Sequence, residues 1–360
     1  MRTIDFPGVQ NYPVMVGGGL VKDVVTQISK YENVAIFATA PMAPIATKIS
    51  EQLSPKVRTS VHLLPAGEEC KTITGAAKAW DFLAQHRITR TDLVLGIGGG
   101  AVTDLVNFVA ATWLRGVDVV LVPTTVLAMV DAAIGGKCGI NTDSGKNLVG
   151  VFNDPIAVYC DVEFLSTLDK FDLRAGFAEI AKCGFIADPT ITQNILTSDA
   201  DLLDHESEVF LDCIYRAIAV KAKIVAADPY EKSESGVGRA ALNYGHTLGH
   251  AIEKYSGFKW RHGDAVSVGM VFAAELANQL GMLSAGDVTT HRSVLTRLKL
   301  PTTYDGASLT DLTPIMNLDK KAQGNNLRFV LLRKLTEPEF VVNPSSDSLA
   351  TAFAKLLEDS

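Results

Sequence analysis

The chain has 360 residues, of which 47% are hydrophobic and 20% charged, so it can bury sizeable cores and two domains are expected. Its formal net charge of −7 excludes a general attraction for DNA, RNA or anionic membranes, and any basic site must be local. Five scattered cysteines without a CxxC pair, and an N-terminus without an unbroken apolar segment, predict a cytoplasmic protein with reduced thiols.

The first half of the chain alternates short apolar runs, typical of buried strands, with helical patterns. Strands are predicted at 33–39, 58–64, 92–97 and 117–123, and helices at 41–53, 72–86 and 101–114. Such alternation is typical of a mostly parallel sheet with helices on both faces. We therefore predict an α/β, Rossmann-like, nucleotide-binding domain over residues 1–168.

After about residue 165 the pattern becomes mainly helical. Helices are predicted at 173–187, 200–227, 239–256, 263–281 and 285–298, and a late hairpin at 326–332 and 339–342. The second predicted domain, over residues 169–360, is therefore mainly α-helical.

A glycine run, Gly98–Gly100, joins a predicted strand to a predicted helix. Glycines let a ligand approach the backbone, and the helix N-terminus offers free N–H groups to a pyrophosphate. Gly96, Gly98 and Ala101 satisfy the dinucleotide-binding spacing. Asp118 has the distance of the ribose-binding acid but precedes its strand instead of following one. The pattern favours a nucleotide bound in an unusual manner; a plain strand-to-helix turn is the alternative.

Basic residues gather on glycine-rich turns after the fourth strand. Lys137 follows a glycine pair, and Lys146 with Asn147 follows Ser-Gly. Taken singly these are typical of solvated surface charges, but together they favour a site for an anion. Other cations that could join them are Arg115, Lys182, Lys221 and Arg239.

Three of the seven histidines lie within seventeen residues. His246 and His250 are four residues apart and share one helix face, and His262 follows twelve residues later. This grouping favours a divalent metal, with Glu253 or Asp264 as the acidic ligand. Capping histidines, or imidazoles packed against a helix, are the alternative. Spacing alone does not choose the ligands.

An ordered set of motifs resembles the 3-dehydroquinate synthase family from about residue 12 to residue 333. The motifs are PAGEECK, GGGAVTD, WLRG, VPTT, VDAAIGGKCGINTDSGKN, RAGFAEIAKCGFIAD, NYGHTLGHAIE, RHGDAVSVGM and DKK. The stretch WRHGDAVSVGMVFAAELA is similar to actinobacterial members.

The resemblance implies an enzyme of the shikimate pathway, usually a homodimer, with an NAD-binding first domain and a metal- and substrate-binding second domain. It converts 3-deoxy-D-arabino-heptulosonate 7-phosphate into 3-dehydroquinate and phosphate. The steps are a transient oxidation by NAD⁺, elimination of phosphate, return of the hydride, ring opening and an intramolecular aldol closure. A divalent metal, commonly Zn²⁺ or Co²⁺, is bound.

The resemblance also implies roles for individual residues. The metal ligands are Glu179, His246 and His262, whereas His250 serves the phosphate and proton transfer; both assignments differ from the expectation from spacing. NAD contacts are Glu68, Lys71, Gly99, Gly100, Ala101, Asp104, Thr124, Thr125, Lys137, Lys146, Phe164, Leu165, Ser166 and Thr167. The substrate is held by Lys137, Asn147, Lys182, Lys221, Arg239, Asn243 and Lys320, with Arg115 at the phosphate and Asp131 beside the nicotinamide and metal.

Some positions depart from the family pattern. Cys138 stands where Thr is common, Asn107 replaces a usual Gly, and Asp264 replaces a common Glu. Thr39 is the only polar side chain at the place where relatives often carry a ribose-binding Asp or Asn. The connection before Arg239 is longer than usual.

Rival functions remain on the sequence alone. Epi-valiolone synthases tend to lose the second histidine and the late lysine, but His250 and Lys320 are present here. 2-Deoxy-scyllo-inosose synthases alter the surroundings of the GGK motif, which is intact. A metal- and NAD-dependent polyol dehydrogenase would need fewer phosphate-binding cations. A catalytically inactive nucleotide-binding regulator would not need the full set of reactive groups.

Overall fold

A computed structural model describes residues 1–8, 10–199, 201–232, 236–318 and 326–357. The chain divides into two compact units, Met1–Leu168 and Asp169–Ser360. No helix within the described ranges is long and apolar enough to cross a membrane. All five cysteines are buried free thiols.

The apolar runs of the first unit become the inner strands of a seven-stranded sheet ordered β1-β2-β9-β6-β5-β3-β4. β1 pairs antiparallel with β2, and the other neighbours pair parallel. The strands of this unit are β1 (Arg2–Phe6), β2 (Tyr12–Gly17), β3 (Asn33–Thr39), β4 (Arg58–Leu64), β5 (Leu93–Gly98), β6 (Asp118–Pro123), β7 (Lys137–Thr142), β8 (Gly145–Phe152) and β9 (Ala157–Asp161).

Helices connect the parallel strands, as the alternating pattern predicts. They are α1 (Val21–Ile28), α2 (Ala43–Leu53), α3 (Ile73–Gln85) and α4 (Gly100–Thr112). One core lies between the sheet and α1 and α2, with Val34, Ile36 and Leu95 fully buried in it. The predicted α/β, mostly parallel first domain is confirmed.

The strand order of this sheet contains a reversal point. From β3 the chain moves outward to β4, and then crosses back to β5 and onward to β6. Ligands of open α/β sheets bind at such a reversal point, outside the carboxyl ends of the strands. Here the reversal lies between β3, which ends at Thr39, and β5, which ends at Gly98.

The second unit is built around a buried helix. Its helices are α5 (Lys170–Ile186), α6 (Pro189–Thr197), α7 (Glu208–Ala227), α8 (His246–Tyr255), α9 (His262–Gln279), α10 (Ala285–Arg297), α11 (Leu309–Leu318) and α12 (Ser346–Ala354). β10 (Arg328–Lys334) and β11 (Glu337–Val342) form the predicted antiparallel hairpin. α9 is apolar on nearly all sides and contacts α5, α8, α10 and α12, which is typical of a central helix.

Two predicted helices are wrong in extent. The helix predicted at 200–227 begins only at Glu208, because residues 201–207 form turns and the Ser207 hydroxyl caps the helix at Phe210. Ala200 lies outside the described residues. The helix predicted at 239–256 is broken, since Gly245 has a left-handed φ of +79° between a 3₁₀ turn and α8.

Candidate active site

Three helices of the second unit approach each other through glycines. A Cβ atom on Gly263 would lie 1.8 Å from the carbonyl oxygen of Ala175, so α9 rests directly on α5. A Cβ on Gly269 would lie 1.9 Å from the carbonyl oxygen of Gly245, so α9 also touches the start of α8. This close backbone contact brings side chains from α5, α8 and α9 to one place.

The side chains that meet there are Glu179 of α5, His246 of α8 and His262 of α9. The Nε2 atoms of both histidines lie 3.5 Å from Glu179 Oε1. That oxygen is buried and has no hydrogen-bond partner among the described residues, whereas Oε2 accepts from Lys182. Ligands about 2.0–2.2 Å from a tetrahedral zinc ion lie about 3.4 Å from one another, so this donor set fits a divalent metal.

The outer nitrogens of the two imidazoles are also engaged. His246 Nδ1 donates to the backbone carbonyl of Tyr244 at 3.1 Å, and His262 Nδ1 donates to Glu253 Oε2 at 3.0 Å. In its neutral form each ring would then direct the Nε2 lone pair toward Glu179. Metal-binding histidines usually have such a partner on the other nitrogen.

The ionisation states of the residues in this cluster favour the binding of a cation. Burial opposes ionisation of Glu179, but Lys182 and the two histidines hold the pKa of its carboxyl well below the ordinary value. Burial, helped by Lys182, holds the pKa of His246 well below its ordinary value, so this ring is neutral. Burial opposes charge on His262, but Glu179 and Glu253 raise its pKa to about 10. The carboxylates of Glu179 and Glu253 therefore favour positive charge in the cluster, and a bound metal ion would supply that charge.

His250 stands beside this cluster. Its ring centroid is 5.1 Å from that of His246 and 6.0 Å from that of His262. A second group that could hold a metal comprises His250, Glu253 and His262. Asp264 was the other acidic ligand predicted from the spacing, but it forms a salt bridge with Arg174 at 3.3 Å.

Several predicted substrate-binding cations of the second unit are buried. Lys182 on α5, Lys221 on α7 and Arg239 in the 3₁₀ turn Gly238–Asn243 are each at most 5% exposed. Burying a charge is costly, and part of this cost is offset locally, because Lys182 donates to Glu179 Oε2 and Arg239 donates to the Pro229 carbonyl at 2.8 Å. Asn243 is exposed, and Lys320 lies outside the described residues.

In the first unit, predicted NAD contacts collect at the carboxyl edge of the sheet. Gly99 caps α4, which begins at Gly100 and Ala101, and the Thr124 N–H donates to the Gly98 carbonyl at 2.9 Å. Thr125 follows Thr124, and Phe164, Leu165, Ser166 and Thr167 lie in a 3₁₀ turn directly after β9. Neighbouring parallel strands end at one edge, which explains why these distant segments meet.

A network of acidic and basic side chains lies at the same edge of the sheet. Buried Lys71 pairs with Asp104, and burial of that carboxyl, opposed by Lys71, raises its pKa to about 6. The negative charges of Asp131 and Glu68 also raise that pKa. Asp131 lies in a short π-helical turn, Ala128–Ala132, a distortion often found at functional sites.

The β7–β8 hairpin carries further predicted residues. Lys137 begins β7, and Lys146 and Asn147 lie exposed on β8. The Asn147 N–H donates to the side chain of Asn141, which in turn donates to Glu68 at 2.5 Å. This hairpin is therefore tied to the carboxyl edge.

Arg115 is not brought to this edge. It follows the C-terminal end of α4, whereas Gly99 and Gly100 are at the N-terminal end of the same helix. Thirteen residues at about 1.5 Å each separate the two ends by about 20 Å.

Comparisons with known proteins agree with these motifs. Residues 61–175 match the family model described as 3-dehydroquinate synthase N-terminal, and residues 176–322 match 3-dehydroquinate synthase C-terminal. A 3-dehydroquinate synthase from Rhodococcus erythropolis is 46% identical over 349 residues, covering 97% of this chain and 94% of that relative. The chain belongs to the 3-dehydroquinate synthase family.

Solved structures confirm the family's fold. A 2-epi-5-epi-valiolone synthase from Streptomyces hygroscopicus with NAD⁺ and Zn²⁺ bound has a TM-score of 0.85 at 24% identity, covering 99% of both chains. A 2-deoxy-scyllo-inosose synthase complexed with carbaglucose-6-phosphate, NAD⁺ and Co²⁺ has a TM-score of 0.83 at 23% identity, covering 97% of this chain and 98% of that one. At these identities the likeness concerns the fold alone.

The sequence did not reveal a buried support behind His246. His291 of α10 is fully buried, stacks on Phe185 and donates from Nδ1 to the carbonyl of Asp287 at 2.8 Å. Its Nε2 therefore accepts from the Tyr244 hydroxyl at 3.0 Å. Tyr244 in turn provides the carbonyl that orients His246. The available signal in the sequence was the helical spacing of His291 with the apolar residues Val288, Val294 and Leu295.

This arrangement predicts an acid-sensitive stability. Burial lowers the pKa of His291 to about 4, so the folded protein keeps the ring neutral while the unfolded chain gains a proton below about pH 6.5. Stability from this residue is therefore complete above pH 6.5 and falls until about pH 4. Between pH 7 and pH 5 the loss is about 2 kcal/mol.

Urea unfolding of the wild type and of His291→Gln, each at pH 7 and at pH 5, measures this loss of stability. We expect the stability difference between the two proteins to shrink by about 2 kcal/mol at pH 5 relative to pH 7. An equal pH dependence of both proteins would contradict the prediction.

Proposed function

We propose that the protein converts 3-deoxy-D-arabino-heptulosonate 7-phosphate into 3-dehydroquinate and inorganic phosphate, as a carbon–oxygen lyase of the shikimate pathway. The observation that carries the proposal is the cluster of Glu179, His246 and His262 in a member of this family. The cluster has the donor set that the family resemblance implies, although its members are far apart in the sequence.

The proposed metal is Zn²⁺ or Co²⁺, bound by Glu179, His246 and His262. Support comes from Glu179 Oε1, which has no hydrogen-bond partner in the described part of the chain, and from the spacing of the donors. The two structural neighbours contain Zn²⁺ and Co²⁺. When bound, the cation supplies Lewis acidity that favours oxidation of a substrate hydroxyl.

The proposed nucleotide is NAD⁺, bound at the carboxyl edge of the first unit and regenerated in each turnover. The N–H groups at the start of α4 suit its pyrophosphate, and both structural neighbours contain NAD⁺. The remaining proposed contacts are Glu68, Lys71, Asp104, Thr124, Thr125, Lys137, Lys146 and the 3₁₀ turn with Phe164, Leu165, Ser166 and Thr167.

The substrate carries a carboxylate and a phosphate, so the protein must supply cations and hydrogen-bond donors. Lys182, Lys221 and Arg239 support this role because they place three cationic side chains in the interior of the second unit, and Lys182 lies beside Glu179 of the proposed metal centre. The other proposed substrate-binding residues are Lys137, Asn147, Asn243 and Lys320, with Asp131 near the reacting centre. Arg115, which the resemblance assigns to the phosphate, lies at the opposite end of α4 from Gly99, so its role stays a prediction.

His250 is the proposed proton-transfer group beside the phosphate. It lies one helical turn from His246 and has a ring within about 6 Å of both ligand histidines, yet it is not grouped with Glu179. A protonated imidazole would hold the phosphate, and the neutral form would accept a proton.

We also propose a cytoplasmic homodimer. The free thiols support a reducing compartment. Leu148 is 62% and Phe152 48% exposed on β8, an apolar surface that a second copy would cover. Light scattering should give twice the chain mass of 38.5 kDa.

Product analysis tests the proposed function. Incubation with the heptulosonate phosphate should release phosphate and 3-dehydroquinate in equal amounts, and chelation of the metal should stop both. Carbocycle formation only from another sugar phosphate would favour the valiolone or inosose synthases. Oxidation without release of phosphate would favour a polyol dehydrogenase.

A further inference from the structure

Glu253 is a buried carboxylate on the same face of α8 as His246, seven residues further along the helix. Its Oε2 accepts a hydrogen bond from His262 Nδ1 at 3.0 Å. Burying a carboxylate costs free energy unless polar partners hold it. Its position beside a proposed ligand histidine therefore indicates a functional role.

The hydrogen bond determines which nitrogen of His262 faces the cluster. An ionised carboxylate only accepts, so Nδ1 must carry the hydrogen. In the neutral ring the lone pair then lies on Nε2, the atom 3.5 Å from Glu179 Oε1. His262 thereby presents the nitrogen that a metal shared with Glu179 requires.

His262 depends on such a partner more than His246 does. The His246 side chain is 11% exposed and is held by the backbone carbonyl of Tyr244. His262 is the first residue of α9, and its side chain is 25% exposed. Less packing restrains the His262 ring, so the carboxylate must restrain it.

We propose that Glu253 is a positioning residue that fixes the tautomer and ring orientation of His262 and thereby strengthens metal binding. The proposal rests on the metal centre of the proposed function. It also favours the group with Glu179 over the group with Glu253, because a metal bound through Nδ1 of His262 would break the observed hydrogen bond.

Titration of metal-depleted protein with Zn²⁺ against a chromogenic chelator tests the proposal. Glu253→Ala should bind Zn²⁺ about 10–100-fold more weakly than the wild type. Glu253→Gln should lie between them, because its amide oxygen still accepts from Nδ1 but lacks the charge. Glu275→Gln, which changes another buried carboxylate of the second unit, paired with Arg292, should bind like the wild type.

Co²⁺-saturated protein provides a second readout. The visible spectrum of Glu253→Gln should match that of the wild type, because the ligands are unchanged, whereas Glu179→Gln should not. Wild-type affinity in Glu253→Ala, or a Glu253→Gln spectrum like that of Glu179→Gln, would overturn the proposal. A wild type that binds neither metal would overturn it together with the proposed metal centre. No substrate is used, so failure of the product assay alone affects only the proposed function.

Discussion

Glu179→Gln is expected to lose its metal and to turn over about 10³-fold or more slowly. Glu179 is the anionic member of the cluster, and its Oε1 lies equally far from both Nε2 atoms. The amide retains the shape but not the charge, and the Lys182 ammonium beside it would then repel a cation. Lewis acidity worth several kcal/mol would be lost with the metal.

Elemental analysis and turnover of one preparation measure this effect. Glu275→Gln is the matched control, since it changes another buried glutamate of the second unit and should keep metal and turnover. Full metal content in Glu179→Gln would contradict the assignment and make Glu253 a candidate ligand.

His250→Ala is expected to keep its metal and its NAD⁺ affinity but to lose about 10²–10⁴-fold in turnover, the usual contribution of a general acid or base. His246 and His250 lie one turn apart, with Cβ atoms about 6 Å from each other. A metal ligand must be neutral, whereas a phosphate partner gains from a proton, so adjacent turns would use opposite protonation states.

Metal content and turnover should therefore separate the two histidines. His246→Ala should lose both, whereas His205→Ala, in the turns before α7, should lose neither. If His250→Ala loses its metal as completely as His246→Ala, then His250 is a ligand and the proposed division of roles is wrong.

Local patterns predicted the buried strands well, because β3, β5 and β6 are continuous apolar runs between turns. The β7–β8 hairpin was not predicted, since β8 is glycine-containing and largely exposed on both faces. The break at Gly245 was also missed. Gly245 packs so closely against α9 that a Cβ there would lie 2.7 Å from the Met270 side chain, and no local pattern contains this contact.

The candidate site shows the same limit. Spacing found His246, His250 and His262 because they are close in sequence, but it nominated Glu253 or Asp264 as the acid. Glu179 lies 67 residues before His246 and joins it only through packing of α5, α8 and α9. Family resemblance predicted Glu179, whereas the hydrogen bond of Glu253 required coordinates.

The yield of 3-dehydroquinate per NAD⁺ tests the central claim most directly. Protein freed of nucleotide would receive the heptulosonate phosphate in large molar excess over added NAD⁺, with absorbance of NADH recorded throughout. We predict that all the substrate is converted, with no lasting rise in NADH. Conversion that stops at one equivalent of NAD⁺, with a matching amount of NADH, would contradict the account and indicate a dehydrogenase.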